Sequence, residues 1–449
     1  MQRKEIAGVG IGKIVTGAVI IALALGVTIF YLFYTGRFGG GTKLKLTSPT
    51  HVGYEYSHLA ADNNIVSDYL FGRTKKLIVG KGGDGILAAT SYTIEGRLVT
   101  QEAENSGIYG LSDQALLLKC YIRAGDRANA VALKEEVVKR FRLPDGTYRA
   151  FVYSDPARLE DVVSVSASMD WLDGMMEYYV SYGSEGDYKE IRTMVGNLFD
   201  SEGKVVTEKI SVAKYVESLY VSLEDTSIYD EDDEGSMEQL YGTLTGDSDS
   251  LEVENNEISE EVEGVLLSNI NLRLIRDLEN NGLIAAGAYE KALEAVKNGF
   301  TGAGYSFYAY ATAGAMDCGA YLYSGQSTGT IDIAQNVKTM RNLAEVGELD
   351  SSSYAEFKGQ VMNTGRIYTE FVLMTGNYSG REAVSAYSDG LMIAYYQGDT
   401  DLYNKLSDTL GKRVATKSSS PAIYMIFREE NDRYVFYARE NLSARLATS

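Results

Sequence analysis

From residue 112 onward, apolar residues recur at i, i+3, i+4 and i+7, the spacing that places them on one face of an α-helix. Polar start signals such as Ser112-Asp113 and Asp399-Thr400 precede several of these stretches, and the chain holds only four prolines. The pattern therefore predicts a largely helical body. The predicted helices cover residues 112–123, 126–141, 166–182, 187–199, 208–223, 259–279, 284–299, 305–323, 330–346, 351–375, 381–396, 399–411 and 434–447.

Short turns between most of these stretches indicate helical hairpins. No fixed repeat of about 34 or 40 residues is visible, which argues against the common helical solenoids. We therefore expect an all-α fold with minor β structure, an α/α toroid, over residues 48–447. Within it, residues 48–100 carry short apolar and β-branched runs.

One apolar stretch is of a different kind. Residues 14–34 form 21 consecutive positions without a charge. As a helix they would extend about 31 Å, which matches a hydrocarbon core of roughly 30 Å. A cleaved signal peptide is the alternative, but the stretch is longer than the usual apolar region and no clear small-x-small cleavage site follows. We expect a transmembrane anchor between a tail at 1–13 and a linker at 35–47.

The orientation of this anchor is not decided by flanking charges, because three basic residues lie on each side of it. A short tail before a large acidic domain favours a single-pass protein of the cell membrane with its C-terminal domain extracytoplasmic. The chain has 62 acidic against 42 basic residues and a net charge of −20, which argues against binding to nucleic acid.

The scarcity of histidine restricts the chemistry. His51 and His58 are the only histidines, so a histidine-based zinc site or a Ser-His-Asp triad is not expected in the rest of the chain. Carboxylates, tyrosines or a metal site without histidine would have to carry any hydrolytic reaction, and we expect no cofactor and no metal. Cys120 and Cys318 could form one disulfide or remain two buried thiols.

The segment 224–263 is strongly acidic, which is typical of a solvated insertion. Its residues 230–235 (Asp-Glu-Asp-Asp-Glu-Gly) imitate the start of a calcium loop. Tyr241 occupies the twelfth position, where a bidentate glutamate would be required, so we expect an acidic insertion without calcium.

Two stretches hold candidate catalytic carboxylates. Glu102 and Glu104 stand before an apolar helix, where desolvation can raise a carboxyl pKa as a general acid requires, although glutamates there also simply favour a helix N-terminus. Asp170 lies beside Trp171, the only tryptophan, and Asp173 follows one turn later. An aromatic face next to a carboxylate suits a sugar ring, but a tryptophan is equally often a core residue.

These stretches also carry a resemblance. Residues 104–111 (Glu-Asn-Ser-Gly-Ile-Tyr-Gly-Leu), followed by a helix and the Gly125-Asp126 turn, resemble the segment of glycoside hydrolase family 8 in which a glutamate precedes a Gly-Tyr-Gly-type helix start. Residues 167–172 (Ala-Ser-Met-Asp-Trp-Leu) resemble a helix start in divergent, membrane-linked relatives found near exopolysaccharide synthesis machinery. The similarity runs over roughly residues 98–447.

The resemblance implies an (α/α)6 barrel that hydrolyses β-linked polysaccharides with inversion. It would make Glu104 the general acid, with Glu102 as a rival because Glu104 lies one residue further from Tyr109 than in the family. Asp170 would be a sugar-binding or charge-stabilising carboxylate, although Met169 and Trp171 replace two aspartates of the family motif. Tyr109, Trp171 and Asp173 would contact the polysaccharide. The catalytic base has no match.

Two other functions remain open. The chain could be an inactive relative that binds glycan or assists polysaccharide export or cell-envelope assembly, together with synthesis or envelope proteins. It could instead be a helical scaffold that binds protein partners.

Overall fold

A computed structural model describes residues 44–47, 67–81, 85–98, 103–155, 157–158, 160–213, 259–305, 307, 310–312, 321–322, 330–372, 375–430 and 432–448. The predicted transmembrane stretch 14–34, the calcium-like residues 230–235, Glu102 and Cys318 lie outside these ranges. Within them, no helix combines the length and the apolar character that crossing a membrane demands.

The described chain contains two sets of six α-helices. The inner helices are α2 (Leu111–Arg123), α4 (Val165–Tyr182), α6 (Leu272–Asn280), α8 (Ile333–Glu345), α10 (Ala386–Tyr396) and α12 (Ala438–Ala447). The outer helices are α1 (Ser67–Thr74), α3 (Arg127–Phe141), α5 (Glu185–Leu198), α7 (Ala288–Asn298), α9 (Ser351–Thr364) and α11 (Thr400–Gly411). Each of the first five inner helices is followed in the chain by an outer helix. Four of these pairs pack together as hairpins (α2–α3, α4–α5, α6–α7 and α10–α11), and α12 packs against α1.

The inner helices form a closed ring. α2 packs against α4, and α4 against the 3-10 turn Leu267–Asn269 that precedes α6. α8 contacts this turn and α6, and the order continues through α10 and α12 back to α2. The predicted α/α toroid is therefore confirmed.

Local signals fix where several helices begin. Asp332, Asp350 and Asp399 each cap a helix by accepting a hydrogen bond from a backbone N–H of the first turn. Ser184 and Asp187 form a reciprocal capping box at the start of α5. Since these residues satisfy N–H groups that lack helical partners, they set the register of each hairpin.

Short strands precede the inner helices. β1 (Ser91–Glu95) lies between β2 (Ala103–Asn105) and β13 (Arg433–Tyr437), and β13 also pairs with β12 (Arg428–Glu430). β3 (Ile108–Gly110) pairs with β4 (Phe151–Tyr153), and β5 to β8 (Glu208–Ala213, Ser259–Leu266, Tyr310–Thr312, Tyr321–Leu322) form a second sheet. β9 (Thr330–Asp332), β10 (Tyr368–Val372) and β11 (Asn377–Glu382) form a third. All strand pairs are antiparallel.

These strands correct several predicted helices. Residues 208–213 and 259–266 are strands, as are parts of 305–323 and the ends of 351–375 and 434–447. Their sequences are rich in tyrosine, valine and isoleucine, which fit a pleated surface. Because the strands are only two to eight residues long, their apolar positions also fit a helical period.

The core lies between the two helix rings. Its largest fully buried side chains include Trp171, Tyr148 and Phe141. Cys120 is also fully buried, with its Sγ 3.7 Å from the carbonyl oxygen of Leu442, and burial raises the pKa of this thiol to about 12. Cys120 is therefore an inert core residue in this structure.

Candidate functional site

A cavity of about 130 Å³ lies inside the ring of inner helices. Each inner helix, or the 3-10 turn before α6, contributes a charged or amide side chain to its wall. These residues include Lys119, Asp170, Asn269, Lys338, Asp389 and Arg439. The cavity is therefore polar although it occupies the axis of a helical barrel.

Asp170 on α4 is one of two carboxylates, with Asp389, at the strand-bearing end of this cavity. Its Oδ1 lies 3.7 Å from the Nζ of Lys338 on α8. Burial acts to raise the pKa of Asp170, but the charges of Lys338 and Arg439 outweigh it and hold the pKa below its ordinary value. Asp170 is therefore ionised at neutral pH and is suited to stabilise positive charge or to accept hydrogen bonds.

Asp113 on α2 has the opposite electrostatic character. It is 6% exposed, and burial raises its pKa to about 7, with Asp170 contributing in the same direction. Arg439 and a hydrogen bond with Thr90 oppose this shift. Neighbouring carboxyl groups with separated pKa values are typical of acid/base sites. Asp113 does not line the cavity, however, and its hydrogen-bond partner is Thr90, so we assign it no direct role in the site.

Deeper along the axis, charged side chains form a compact cluster around Arg273 of α6. The guanidinium donates to Asp173 at 2.6 Å, Glu345 at 2.9 Å and Asp277 at 3.0 Å. Lys119 also pairs with Asp173 and lies 3.3 Å from Glu177. Arg273 thereby ties three helices together, α4, α6 and α8, and Lys119 adds α2, which gives the axis a fixed arrangement.

The structure describes Glu104 through its backbone only. Glu104 belongs to β2 and pairs with Thr93 of β1, which itself pairs with β13. β13 leads directly into α12, the helix that carries Arg439 in its first turn. The strand of Glu104 therefore lies at the same end of the barrel as Asp170.

Trp171 requires a correction. It is 0% exposed and its ring centroid lies 6.4 Å from that of Tyr148 in the core. Consecutive residues of a helix point in different directions, so the turn of α4 that directs Asp170 into the cavity directs Trp171 away from it. Stacking of a sugar on Trp171 is therefore wrong for this structure.

Tyr109 and Asp173 are also buried. The guanidinium of Arg140 lies 5.0 Å from the Tyr109 ring centroid, and the ring presents no open face. The oxygens of Asp173 are occupied by Lys119, Arg273 and, at 3.2 Å, the amide of Asn271. Asp173 thus belongs to the structural cluster of the axis, and a direct role in substrate binding does not fit these contacts.

The sequence reasoning missed the basic side of the cavity. Lys338, Arg341 and Glu345 recur at i, i+3 and i+7 along α8. Asp170, Asp173 and Glu177 recur at the same spacing along α4. Lys338 pairs with Asp170, and Arg273 bridges Glu345 and Asp173. A charged stripe within an otherwise apolar helix was the available signal, because such a stripe must find partners in the interior.

Comparison with known proteins supports the fold. No protein-family model matches the chain, and no curated protein is significantly similar to it. Solved structures do match over most of their length, and they share the (α/α)6 toroid of glycoside hydrolase family 8-like enzymes. The resemblance found in the sequence is confirmed at the level of the fold.

Three structures are representative. A protein described as a novel alpha-amylase from Clostridium perfringens matches with a TM-score of 0.60 and 16% identity, over 86% of this chain and 97% of that one. A reducing-end-xylose releasing exo-oligoxylanase, as a mutant complexed with xylobiose, matches with a TM-score of 0.53 and 9% identity, over 89% of this chain and 95% of that one. PssZ from Listeria monocytogenes matches with a TM-score of 0.51 and 10% identity, over 89% of this chain and 97% of that one. At these identities the likeness shows the fold alone.

Proposed function

We propose that this protein is a membrane-anchored, extracytoplasmic glycoside hydrolase that acts on a polysaccharide by inverting acid/base hydrolysis. The observation that carries the proposal is the polar cavity on the toroid axis, with ionised Asp170 near the strand that holds Glu104. Among the similar structures, an alpha-amylase and a xylose-releasing exo-oligoxylanase act on glycans, as their descriptions state.

In this proposal Glu104 is the general acid that protonates the leaving oxygen, and Asp170 is a charged carboxylate that binds sugar or stabilises the positive charge of the transition state. Lys338 and Arg439 keep Asp170 ionised, which suits this role and not that of a proton donor. An inverting enzyme also needs a base carboxylate about 6.5–9.5 Å from the acid, which leaves room for a water molecule.

The contacts of residues 44–47 support an orientation on the membrane. This segment follows the predicted anchor and linker. The backbone N–H groups of Lys45 and Thr47 donate to Asn281 at 2.8 Å and Asp277 at 2.7 Å, at the C-terminal end of α6. The strands precede the N-terminal ends of the inner helices. We therefore propose that the strand-bearing end faces away from the lipid.

The test compares two neighbouring glutamates. The full-length chain is incubated with a panel of β-glucans, α-glucans, xylans and amino-sugar polymers, and new reducing ends are measured. Glu104→Gln should abolish release, whereas Glu102→Gln should retain it, because both changes remove one charge and only Glu104 is assigned the acid role. Release that survives Glu104→Gln and is lost in Glu102→Gln would transfer the role to Glu102. No release from any polymer would contradict the hydrolase.

One observation favours a binding protein without turnover as the second candidate. Trp171 is in the core, and Asp173 lines the cavity but is held by Lys119 and Arg273, so Asp170 is the carboxylate of this stretch that lies outside the Arg273 cluster. Retention of the chain on an immobilised polysaccharide that it does not cleave would favour this candidate.

A further inference from the structure

We propose that the axial cavity selects glycans that carry a carboxylate, such as polymers containing uronic acid. This inference rests on the proposed function, since it names the substrate class of the same site. It follows from unpaired hydrogen-bond donors at the strand-bearing end of the cavity, where the carboxylates are already paired with cations.

Arg439 is the principal unused donor. Its side chain is exposed at the cavity wall, in the first turn of α12. Among the described residues it makes no ion pair within 4.0 Å and no hydrogen bond, although it acts on Asp113 and Asp170 through its charge. By contrast, Lys119, Arg273 and Arg341, which line the same cavity, each have a carboxylate partner. Arg439 is thus available to an incoming anion.

A second donor lies nearby. Asn269 is 6% exposed, and its Oδ1 accepts from Ser166 at 2.9 Å and from Lys338 at 3.4 Å. Its Nδ2 is buried and has no hydrogen-bond partner among the described residues, while the side chain lines the cavity. An unsatisfied buried donor costs about 1–3 kcal/mol, so a ligand oxygen would relieve a real penalty.

The two carboxylates at this end are already engaged. Asp170 faces Lys338 at 3.7 Å, and Asp389 faces Arg341 at 3.4 Å. Arg341 is balanced by Asp389 and Glu345, so the cation without a paired carboxylate at this end is Arg439, which acts on Asp170 and Asp113 only through its charge. Distant acidic residues are screened beyond about 8–10 Å at physiological ionic strength, so the unpaired Arg439, and not the net charge of −20, decides which ligand is favoured.

A guanidinium matches a carboxylate better than it matches neutral hydroxyl groups, because its fork donates two parallel hydrogen bonds to the two oxygens. A protonated amino sugar would instead bring a third cation close to Lys338 and Arg439. The cavity therefore discriminates by charge, with uronate preferred over neutral sugar and neutral sugar preferred over amino sugar.

The test is a binding titration of the full-length chain with D-glucuronate, D-glucose and D-glucosamine at equal ionic strength, followed by ligand-observed NMR. Glucuronate should bind at least tenfold more tightly than glucose, and glucosamine should bind least. Arg439→Gln should lower the affinity for glucuronate about tenfold or more and leave that for glucose within twofold, since only the charge-assisted pair is lost. Arg439→Lys should recover part of the loss.

Arg433→Gln is the matched control. It removes the same charge from β13 in the same part of the sequence, but Arg433 pairs with Glu95 at 3.1 Å on the surface and does not line the cavity. Equal affinity for glucuronate and glucose, or an Arg433→Gln effect as large as that of Arg439→Gln, would overturn the inference. Binding is measured separately from turnover, so the two proposals can fail independently. If the chain cleaves a neutral polymer but binds glucuronate no more tightly than glucose, only the uronate preference is refuted. A preference for glucuronate that depends on Arg439, without hydrolysis of any polymer, would refute the hydrolase alone.

Discussion

Replacement of Arg273 by methionine tests whether the charged axis holds the toroid together. Arg273 is buried and donates to three carboxylates, at 2.6 Å, 2.9 Å and 3.0 Å. Methionine fills a similar volume but leaves Asp277 without its cation, while Lys119 remains beside Asp173 and Arg341 beside Glu345. Removing one partner of a buried ion pair costs about 3–5 kcal/mol, and we expect a loss of unfolding free energy of that order at pH 7.

The effect should depend on pH in a defined direction. Burial acts to raise the pKa of Asp173, but Arg273 and Lys119 outweigh it and hold the pKa well below its ordinary value. A carboxylate whose folded pKa is depressed stabilises the protein above its unfolded pKa and loses this contribution as the pH falls through the folded value. Without Arg273 the carboxyls take up protons at higher pH, so the loss of stability should be smaller at pH 5 than at pH 7.

Trp171 supplies the assay. It is the only tryptophan and is fully buried on α4, so its fluorescence reports unfolding of the ring in a urea titration. Lys291→Met is the control, because its pair with Glu202 at 3.5 Å is half exposed and contributes about 0–1 kcal/mol. If the unfolding free energy of Arg273→Met lies within about 1 kcal/mol of that of the control at pH 7, the guanidinium does not organise the axis.

Two further predictions concern local features. Asp113 has a folded pKa of about 7, so between its unfolded pKa, near 4, and pH 7 the folded state binds more protons and stability falls as the pH rises. Asp113→Asn should therefore raise the unfolding free energy, measured in urea titrations, by a few kcal/mol more at pH 8 than at pH 5. An equal effect at both pH values would show that the pKa of this carboxyl is not raised. Gly203 has a φ of +78°, and an added Cβ would lie 2.6 Å from the Cβ of Ala288. Gly203→Ala should lower the unfolding free energy by more than Gly282→Ala, whose φ is +67° with open space around it, and equal losses would refute the packing argument.

Amphipathic periodicity was sufficient to predict most of the helices. α2, α3, α4 and α5 begin within two residues of the predicted starts, because each carries a long apolar face. Periodicity did not predict the strands. β10 and β13 are short and lie next to helices, and their apolar residues continue the helical spacing of those helices. Their pairing joins residues far apart in the chain, as Glu95 with Arg433, and no local pattern encodes it.

The site was less predictable than the fold. The sequence identified Asp170 and Trp171 together as candidate site residues. Trp171 lies in the core, because the side chains of consecutive helical residues point in different directions. Lys338 and Arg439 come from helices more than 160 residues along the chain, and only closure of the ring brings them to Asp170. The transmembrane anchor remains a prediction from the sequence.

The central claim is hydrolysis with inversion in the cavity of the toroid, and the anomeric configuration of the first product tests it most directly. Proton NMR is recorded during the first minutes of digestion of a β-linked polymer that the full-length chain cleaves. The account predicts that the α-anomer of the new reducing end appears first and that Glu104→Gln abolishes it. A β-anomer formed first, or the same product formed at an undiminished rate by Glu104→Gln, would contradict the account.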